Sequence, residues 1–299
     1  MRTWILAGAA LASSAAMGCG GSETNSGEAR ELVVTTPEFE VPPGDSFECF
    51  YTDVRSPKDL AVTSAIGHQG PGGHHITLYY ADEDRPVGHH PCSDAEMLGL
   101  HQVTGASLDG EPTLNVPEGL ATRIPEGKQI ALQSHYINVS GKTEKVTDEI
   151  RVALADPSDI VAYANMWVLF DGNFKVPAHS QAVHRSVCTV AKDADLVLLF
   201  GHMHEMGKHF TLERIDDQGA TLETLYDQDW ASSYASHPPE LRYTREKPLH
   251  FAAGTRLRQT CTWHNAGEED AQFPREMCLS FGYYFPDDGD RICIAKPDL

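Results

Sequence analysis

The sequence predicts an all-β fold, and two observations support this prediction. From residue 32 onward, short apolar or alternating segments rich in Val, Ile, Leu, Tyr and Phe recur along the chain, as in "HHITLYY", "QIALQSHYINV" and "DLVLLF". Pro, Gly, Asp and Asn separate these segments, which is the pattern of an antiparallel β-sandwich or barrel. Only "SDAEMLGLH", residues 93 to 101, indicates a short helix.

The strand pattern is interrupted near the middle of the chain. The segment "VALADPSD", residues 152 to 159, is a candidate domain boundary. It leaves two halves of similar size, each with the pattern of a sandwich, and no exact internal repeat relates them. We therefore predict an N-terminal domain over residues 32 to 155 and a C-terminal domain over residues 156 to 299.

The charge balance argues against one class of partner. Asp and Glu number 43 and Lys and Arg number 23, which gives a formal net charge of −20 at pH 7. A phosphate backbone or an anionic membrane surface would be repelled by such a chain. We therefore expect no nucleic-acid partner, and membrane contact only through a lipid anchor.

The first residues have the composition of an export signal. "MRTWILAGAALASSAAMGC" has one Arg, an apolar run too short to span a membrane, and then Cys19. Gly18 ahead of Cys19 resembles a bacterial lipoprotein site, although Ala16 departs from the usual Leu. We predict a signal peptide over residues 1 to 19 with lipidation at Cys19, and plain secretion is the alternative. Residues 20 to 31 are expected to form a flexible tether.

Cysteine usage also indicates export. Six cysteines remain after Cys19, and an even number in an exported chain suggests three disulfides whose connectivity the spacing alone does not choose. The absence of a C-x-x-C pair argues against a zinc ribbon, a thioredoxin-type centre and a haem attachment site. The six are Cys49, Cys92, Cys188, Cys261, Cys278 and Cys293.

Two histidines end an apolar strand in "DLVLLFGHMHEMGKHF". His202 and His204 are separated by one residue, so in a strand their imidazoles point to the same side and can converge on one ion. The alternative is that both are solvated surface residues. Gly201 and Gly207 suggest that the strand ends here, and His209 is expected on the surface.

A second group of histidines lies in the N-terminal half. His74 and His75 follow two glycines in "GGHHITLYY", and adjacent residues can bind one ion only where the backbone is irregular, as at a strand start or bulge. His135 lies on a mostly apolar strand face, where a core histidine is the more common reading, yet it could complete a three-histidine site. We interpret His89 and His90 in "VGHHPC" as residues of a solvated loop.

One methionine is a candidate metal ligand. Met277 precedes Cys278 at the start of "CLSFGYYF", where methionine more often fills a core. A thioether joined to two imidazoles favours Cu(I) over zinc or hard cations. Together with His202 and His204, Met277 would therefore specify copper.

In this order, the fragments resemble the copper type II, ascorbate-dependent monooxygenases, the family of peptidylglycine α-hydroxylating monooxygenase and dopamine β-monooxygenase. The fragments are "HH" opening a strand, "LQSHY", "HMHEMGK" and "EMC" before an aromatic strand, and they span roughly residues 35 to 295. The resemblance implies two consecutive jelly-roll-like β-sandwich domains, each with one copper ion, that face each other across a solvent-filled cleft.

The resemblance also implies roles for individual residues. One copper, the electron donor, would be held by His74, His75 and His135, and the oxygen-binding copper by His202, His204 and Met277. The implied disulfides are Cys49 with Cys92, Cys188 with Cys293, and Cys261 with Cys278. The implied reaction is hydroxylation of a C–H bond with O2 and with ascorbate or another one-electron donor.

The sequence departs from the peptide-hydroxylating members at the substrate. These enzymes grip the substrate carboxylate with an Arg and a Tyr, where this chain has Phe200 and Phe281. We therefore expect a small apolar or aromatic substrate, with Gln133 as a further candidate pocket residue. The alternatives are an exported copper-binding protein without activity, and a zinc hydrolase or cupin, for which Glu205 is a poor acidic partner.

Overall fold

The computed structural model describes residues 30–93, 96, 99–106 and 112–298, and in these residues the predicted all-β fold is confirmed. The signal peptide, Cys19 and the tether up to residue 29 lie outside the described residues. The strands of the N-terminal half are β1 (Arg30–Thr35), β2 (Phe39–Val41), β3 (Gly44–Arg55), β4 (Leu60–His68), β5 (Gly73–Ala81), β6 (Gly88–Pro91), β7 (Leu100–Ala106), β8 (Leu120–Ile124), β9 (Gln129–Asn138), β10 (Glu144–Val146) and β11 (Glu149–Ala155).

The C-terminal half contains the remaining described strands and two short 3-10 helices, Pro157–Asp159 and Ser232–Ala235. Its strands are β12 (Ala162–Phe170), β13 (Ser180–Thr189), β14 (Ala194–His202), β15 (Gly207–Ile215), β16 (Thr221–Asp229), β17 (Leu241–Arg242), β18 (Leu249–Phe251), β19 (Arg256–Asn265), β20 (Leu279–Phe285), β21 (Arg291–Ile294) and β22 (Lys296–Pro297). No helix in the described part of the chain has the length and apolar character needed to cross a membrane.

Each half is a two-layer sandwich. In the N-terminal half, the sheet β6-β3-β9-β5-β7 packs on strands β1, β11, β4 and β8, and a single apolar cluster that includes Leu78, Leu132 and Val152 fills the space between them. In the C-terminal half, the sheet β16-β15-β19-β13-β22 packs on β12, β20 and β14 around Trp263 and Phe210. Two apolar sheet faces that pack on each other bury most of the side chains that the alternating segments supply.

The two halves are joined by one continuous sheet. Strands β8 and β12 pair in parallel, and this pairing fuses the outer sheets into a ten-stranded sheet of described strands. A second parallel pairing, β12 with β21, also departs from the purely antiparallel prediction. The predicted boundary falls in the connection between β11 and β12, which contains the 3-10 helix Pro157–Asp159.

Two local predictions differ from the structure. Strand β1 begins at Arg30 and pairs with β11, so the last two residues of the expected tether belong to the sheet. Apolar alternation resumes there with Leu32 and Val34, and the latter is buried. The predicted helix of residues 93 to 101 lies partly outside the described residues, and Leu100 and His101 belong to strand β7.

The halves also share apolar contacts. Val197, Leu198 and Tyr283 of the C-terminal half belong to the core cluster of the N-terminal half. The Tyr283 hydroxyl donates a hydrogen bond to the Val103 carbonyl, 3.3 Å away. The resemblance implied two domains that face each other across a solvent-filled cleft. At strands β14 and β20 the two halves are in direct apolar contact.

Candidate metal centre

The N-terminal histidines converge at the start of strand β5. The register between β5 and β9 shifts between Gly73 and His75, so the backbone is irregular at His74, as the sequence required. His75 pairs directly with His135 on β9. One ring nitrogen of each of the three histidines lies within 4.8 Å of the others, so the group could hold a metal ion.

Contacts behind His135 fix its orientation. Its Nε2 lies 2.8 Å from Oδ1 of Asp45 on β3. Partial burial by itself would raise the pKa of the Asp45 carboxyl. The hydrogen bond from His135 outweighs it and holds that pKa below its usual value. The carboxylate can only accept, so Nε2 donates and Nδ1 keeps the lone pair that a metal needs. The ring of Phe47 stacks on the ring of His135, with the two centroids 3.9 Å apart.

The H-M-H segment follows the end of β14. His202 is the last residue of the strand, and the ring centroids of His202 and His204 are 5.2 Å apart. Met203 points away and is fully buried in the C-terminal core, as strand alternation predicts. His204 is also buried, with 1% of its surface exposed, so the reading of both histidines as solvated surface residues is not what the structure shows.

His204 is held by the segment that precedes Met277. Its Nδ1 lies 3.0 Å from the Arg275 carbonyl oxygen, which can only accept, so Nδ1 donates and Nε2 keeps its lone pair. Its backbone N–H donates to the Glu276 carboxylate at 3.2 Å. These contacts bring the segment that leads into Met277 against His204, although the two are far apart in sequence.

Glu276 is a site residue that the sequence reasoning missed. It is fully buried, and its carboxylate accepts hydrogen bonds from the N–H groups of His204 and Met206 and from Nε1 of Trp263. Burial raises the pKa of the Glu276 carboxyl. A glutamate beside a candidate ligand was visible in "EMC", but only the fold shows that it supports the turn that bears His204.

The two histidine groups are neighbours in space. The ring of His204 lies 5.7 Å from that of His74 and 6.0 Å from that of His135, centroid to centroid. The resemblance implied that the two groups face each other across a cleft, and the halves also pack together around Val197, Leu198 and Tyr283. Met277 follows Glu276 in the sequence and is half-buried.

Burial favours the neutral form of His74, His75, His135 and His202. It lowers the pKa of His74 to about 3, and the adjacent rings of His135 and His204 act in the same direction. Burial also lowers the pKa of His75, His202 and His135, in the last case against the effect of Asp45. A metal ion binds the neutral imidazole, so the rings are ready to bind without losing a proton at neutral pH.

The donor atoms fit a transition metal such as copper or zinc. Within the described part of the chain, three buried ring nitrogens have no hydrogen-bond partner: Nε2 of His74, Nδ1 of His135 and Nε2 of His204. Buried polar atoms are rarely left unpaired, and imidazole suits copper and zinc, so the residues present fit a metal of this class.

The candidate pocket residues fall in two places. Phe200 and Phe281 are cross-strand partners on β14 and β20 and stack with centroids 5.6 Å apart, and Phe281 lies edge-on to His202 at 5.9 Å. Gln133 is nearly buried on β9, and its amide nitrogen lies 3.8 Å from Sγ of Cys92. The two phenylalanines therefore adjoin the H-M-H segment, and Gln133 lies beside a disulfide.

His89, His90 and His209, which the sequence predicts at the surface, are exposed or partly exposed. His89 and His90 are exposed, although they belong to strand β6 instead of a loop, and His90 pairs with Glu96 at 2.9 Å. His209 is partly exposed between Asp227 and Asp229, 3.0 and 2.9 Å away.

The described residues contain the three disulfides that the resemblance implied. They are Cys49–Cys92, Cys188–Cys293 and Cys261–Cys278. Three disulfides in one chain indicate an oxidising compartment and therefore export. Cys278 adjoins Met277 and is tied to Cys261 on the inner strand β19, which holds the Met277 segment against the second sheet.

Fold and site together define an all-β, disulfide-bonded chain with a histidine cluster able to hold metal. No model of a known protein family matches the chain, and no curated protein matches it. Among solved structures, a peptide-N(4)-(N-acetyl-β-D-glucosaminyl)asparagine amidase is 9% identical with a TM-score of 0.40, covering 89% of this chain and 100% of the other. A recombinant peptide:N-glycanase F is 10% identical with a TM-score of 0.37, covering 89% and 99%.

The major capsid protein P2 from bacteriophage PM2 is also similar, at 5% identity and a TM-score of 0.33, covering 82% of this chain and 99% of the other. At these identities and scores, none of the three likenesses carries an argument about function.

Proposed function

We propose that this protein is an exported copper-dependent monooxygenase that hydroxylates a C–H bond of a small apolar or aromatic substrate. The observation that carries the proposal is the convergence of five histidines from three distant parts of the sequence at one buried place. These are the histidines that the resemblance to the copper type II, ascorbate-dependent monooxygenases assigned as ligands: His74, His75, His135, His202 and His204.

The ligand types support a redox role. In the proposal, His74, His75 and His135 hold one copper ion, and His202, His204 and Met277 hold another. Bound copper supplies one-electron chemistry with O2 and with ascorbate or another one-electron donor. A thioether beside imidazoles favours Cu(I), so an ion that cycles through its reduced state is stabilised by it.

The chain's own residues orient the ligands. Asp45 accepts the Nε2 proton of His135, and the Arg275 carbonyl oxygen accepts the Nδ1 proton of His204. Each acceptor fixes a tautomer and leaves the other ring nitrogen free to bind. Glu276 holds the backbone of His204, so the ring enters the site from a fixed position.

The substrate side of the site is apolar in the proposal. Phe281 lies against the ring of His202 and stacks on Phe200. Two phenyl rings offer no donor to a carboxylate and exclude water from their surfaces. A compact substrate with a phenyl ring or an alkyl group fits such a surface better than a peptide C-terminus does.

Metal counting and oxygen uptake test this proposal. The disulfide-bonded protein is loaded with copper, the bound copper is counted, and oxygen uptake with ascorbate is measured across a panel of aromatic and amine substrates. We expect two copper ions per chain and uptake that depends on the substrate, with one hydroxylated product per O2 consumed. Glycine-extended peptides should give no product, because Phe200 and Phe281 cannot pair with their carboxylate.

Matched histidine variants provide the control. His202→Ala should abolish product formation, whereas His209→Ala, which removes an exposed histidine paired with Asp227 and Asp229, should retain it. Two bound coppers without coupled turnover would identify an exported copper-binding protein without activity. If the protein is purified with zinc and does not bind copper, both the monooxygenase and the copper-binding function are excluded. Turnover of a glycine-extended peptide would overturn the proposal of an apolar substrate.

A further inference from the structure

A buried carboxylate lies close to the N-terminal histidines. Asp148, in the connection between β10 and β11, is fully buried. Its Oδ1 accepts a hydrogen bond from the Tyr136 hydroxyl, and its Oδ2 accepts one from Nε2 of Gln69, 3.1 Å away. Its backbone is held as well, because its N–H donates to Oγ1 of Thr36 at 2.9 Å and its carbonyl oxygen accepts from the N–H of Thr36 at 2.8 Å. Side chain and backbone together fix this carboxylate in one place.

The two side chains that donate to this carboxylate adjoin the candidate ligands. Tyr136 directly follows His135 on β9. Gln69 begins the turn of residues 69–72, which connects β4 with β5 shortly before the histidine pair of β5. Nε2 of Gln69 also donates to the carbonyl oxygen of His135 at 3.4 Å. The carboxylate is therefore connected both to the strand that carries His135 and to the turn that leads into the other two histidines.

Hydrogen bonds also join this turn to β9. The N–H of Gly70 donates to the Tyr136 hydroxyl oxygen at 3.1 Å, so this hydroxyl accepts from the turn and donates to Asp148. At the other end of the turn, the N–H of Ile137 donates to the Gly72 carbonyl oxygen at 2.8 Å. Loss of the hydroxyl would leave the Gly70 N–H without this partner and allow the turn to shift relative to β9.

Small shifts matter because the ligands of the three-histidine centre are close together. One ring nitrogen of each of His74, His75 and His135 lies within 4.8 Å of the others. Metal–nitrogen bonds are about 2.0 Å long and tolerate deviations of about 0.2 Å. A small displacement of the turn is therefore enough to weaken or distort the coordination of an ion.

We propose that Asp148 is a positioning residue of the three-histidine centre, and that it sets the distance of the histidine pair on β5 from His135. It acts through Tyr136 and Gln69. The inference rests on the metal centre of the proposed function and not on the reaction assigned to it. Replacement of residues that orient metal ligands lowers the metal affinity by about tenfold to 100-fold.

A second buried tyrosine offers a matched control. Tyr284 on β20 is also fully buried, and its hydroxyl donates to Oδ1 of Asp288 at 2.8 Å and accepts from the N–H of Asp288 at 3.1 Å. Like Tyr136, it connects an aspartate carboxylate with a backbone N–H. Its partners belong neither to the turn of residues 69–72 nor to β9, so its loss removes a comparable set of hydrogen bonds outside the three-histidine centre.

Two tyrosine-to-phenylalanine variants test the proposal. Tyr136→Phe and Tyr284→Phe are made in a His202→Ala background, which removes a ligand of the other assigned copper. Copper affinity is measured by competition titration, the ligand geometry by the Cu(II) resonance spectrum, and stability by urea unfolding without metal. We expect both variants to lower the urea midpoint, but only Tyr136→Phe to alter the spectrum and to weaken copper binding, by about tenfold.

Asp148→Asn tests the carboxylate itself. Asparagine keeps the shape of the side chain but has one acceptor oxygen in place of two. We expect weaker copper binding, and in the double variant with Tyr136→Phe the two losses should be less than additive, because both changes remove one shared hydrogen bond. Additive losses would overturn the assignment to Asp148. If Asp148→Asn loses the native far-ultraviolet spectrum, Gln69→Leu, which removes the other donor to the carboxylate, takes its place in the double variant.

The comparison of the two phenylalanine variants decides the outcome. Equal copper affinities and spectra, despite a lower urea midpoint of Tyr136→Phe, would mean that the hydrogen bonds of Asp148 only stabilise the fold, and the proposal would be overturned. Absence of copper binding in the His202→Ala background overturns it as well. Tight copper binding without substrate-coupled oxygen uptake defeats the monooxygenase proposal alone, so the two failures are distinguishable.

Discussion

At the scale of single residues, the candidate site depends on side chains that lie behind the candidate ligands and hold them in place. Asp45 is partly exposed, yet it is the acceptor that defines which nitrogen of His135 is free. Carboxylate support of this kind orients a ligand ring and raises its basicity. Asp45 is therefore a positioning residue. Its substitution should lower the metal affinity more than it lowers the free energy of unfolding.

We expect Asp45→Ala to weaken copper binding by about tenfold to 100-fold, because His135 loses the partner that fixes its tautomer and orientation. The measurement is a competition titration of copper, with the Cu(II) resonance spectrum as a second readout of the ligand set. Asp84→Ala is the matched control, since Asp84 is an exposed aspartate paired with Arg55. Equal affinities for both variants would remove Asp45 from the site.

Glu276 stabilises the site from the interior. Its carboxylate accepts three hydrogen bonds, including those from the N–H of His204 and from Nε1 of Trp263. Glu276→Ala leaves buried donors unpaired, and we expect the free energy of unfolding to fall by about 3 kcal/mol or more. Urea unfolding measures the loss. Glu268→Ala, at an exposed position paired with His179, should change stability by less than about 0.5 kcal/mol.

At the scale of elements, the turn between β14 and β15 positions the H-M-H segment. A β-carbon on Gly201 would lie 2.5 Å from the Phe210 ring, and one on Gly207 would lie 2.5 Å from the Trp230 ring. Nε1 of Trp230 also donates to the His204 carbonyl oxygen at 3.1 Å. The two glycines thus allow aromatic rings to pack directly against the backbone that presents the histidines.

Gly201→Ala should therefore be destabilising by overpacking. The added methyl group meets the buried Phe210 ring, which lies in the closely packed C-terminal core, and the expected cost is about 1 to 3 kcal/mol. Denaturant unfolding gives the value. Gly105→Ala on β7 is a suitable comparison, because its nearest atom would be 3.8 Å away, and a similar loss there would argue against the packing explanation.

At the scale of the whole molecule, charged and polar contacts reinforce the junction of the halves. His101 lies between Asp82 of the N-terminal half and Asp290 of the C-terminal half, 2.9 and 3.0 Å away. Arg242 donates to the carbonyl oxygens of Leu114 and Asn115 across the same junction. The hydrogen bond to Asp290, aided by Asp82, raises the pKa of His101 to about 9.

This raised pKa predicts a pH dependence of stability. Because the folded pKa lies above the unfolded value of about 6.5, the contribution of His101 is complete below that pH and is lost as the pH rises through about 9. Solvent screening limits it to about 1 kcal/mol. Unfolding of wild type and His101→Gln from pH 6 to pH 10 checks this, and the difference between them should shrink as the pH rises.

The sequence by itself determined the all-β class and the irregular backbone at His74, because side-chain periodicity and the placement of glycines are local properties. The grouping of the histidines was implied by the family resemblance. Strand alternation also separated His202 and His204 from buried Met203. The disulfide pairs followed from the family resemblance, since cysteine spacing left their connectivity open.

Only the tertiary structure decided how the groups meet. The parallel pairing of β8 with β12 and the apolar contacts around Tyr283 bring His204 within 5.7 Å of His74, and contacts of such sequence separation leave no periodic signal. Asp45 and Glu276 were likewise hidden, because an acidic residue in a sequence does not reveal whether it is solvated or paired with a buried donor. The hydrogen bonds of Asp45 and Glu276 that hold the candidate site thus depend on how distant strands pack together in the fold.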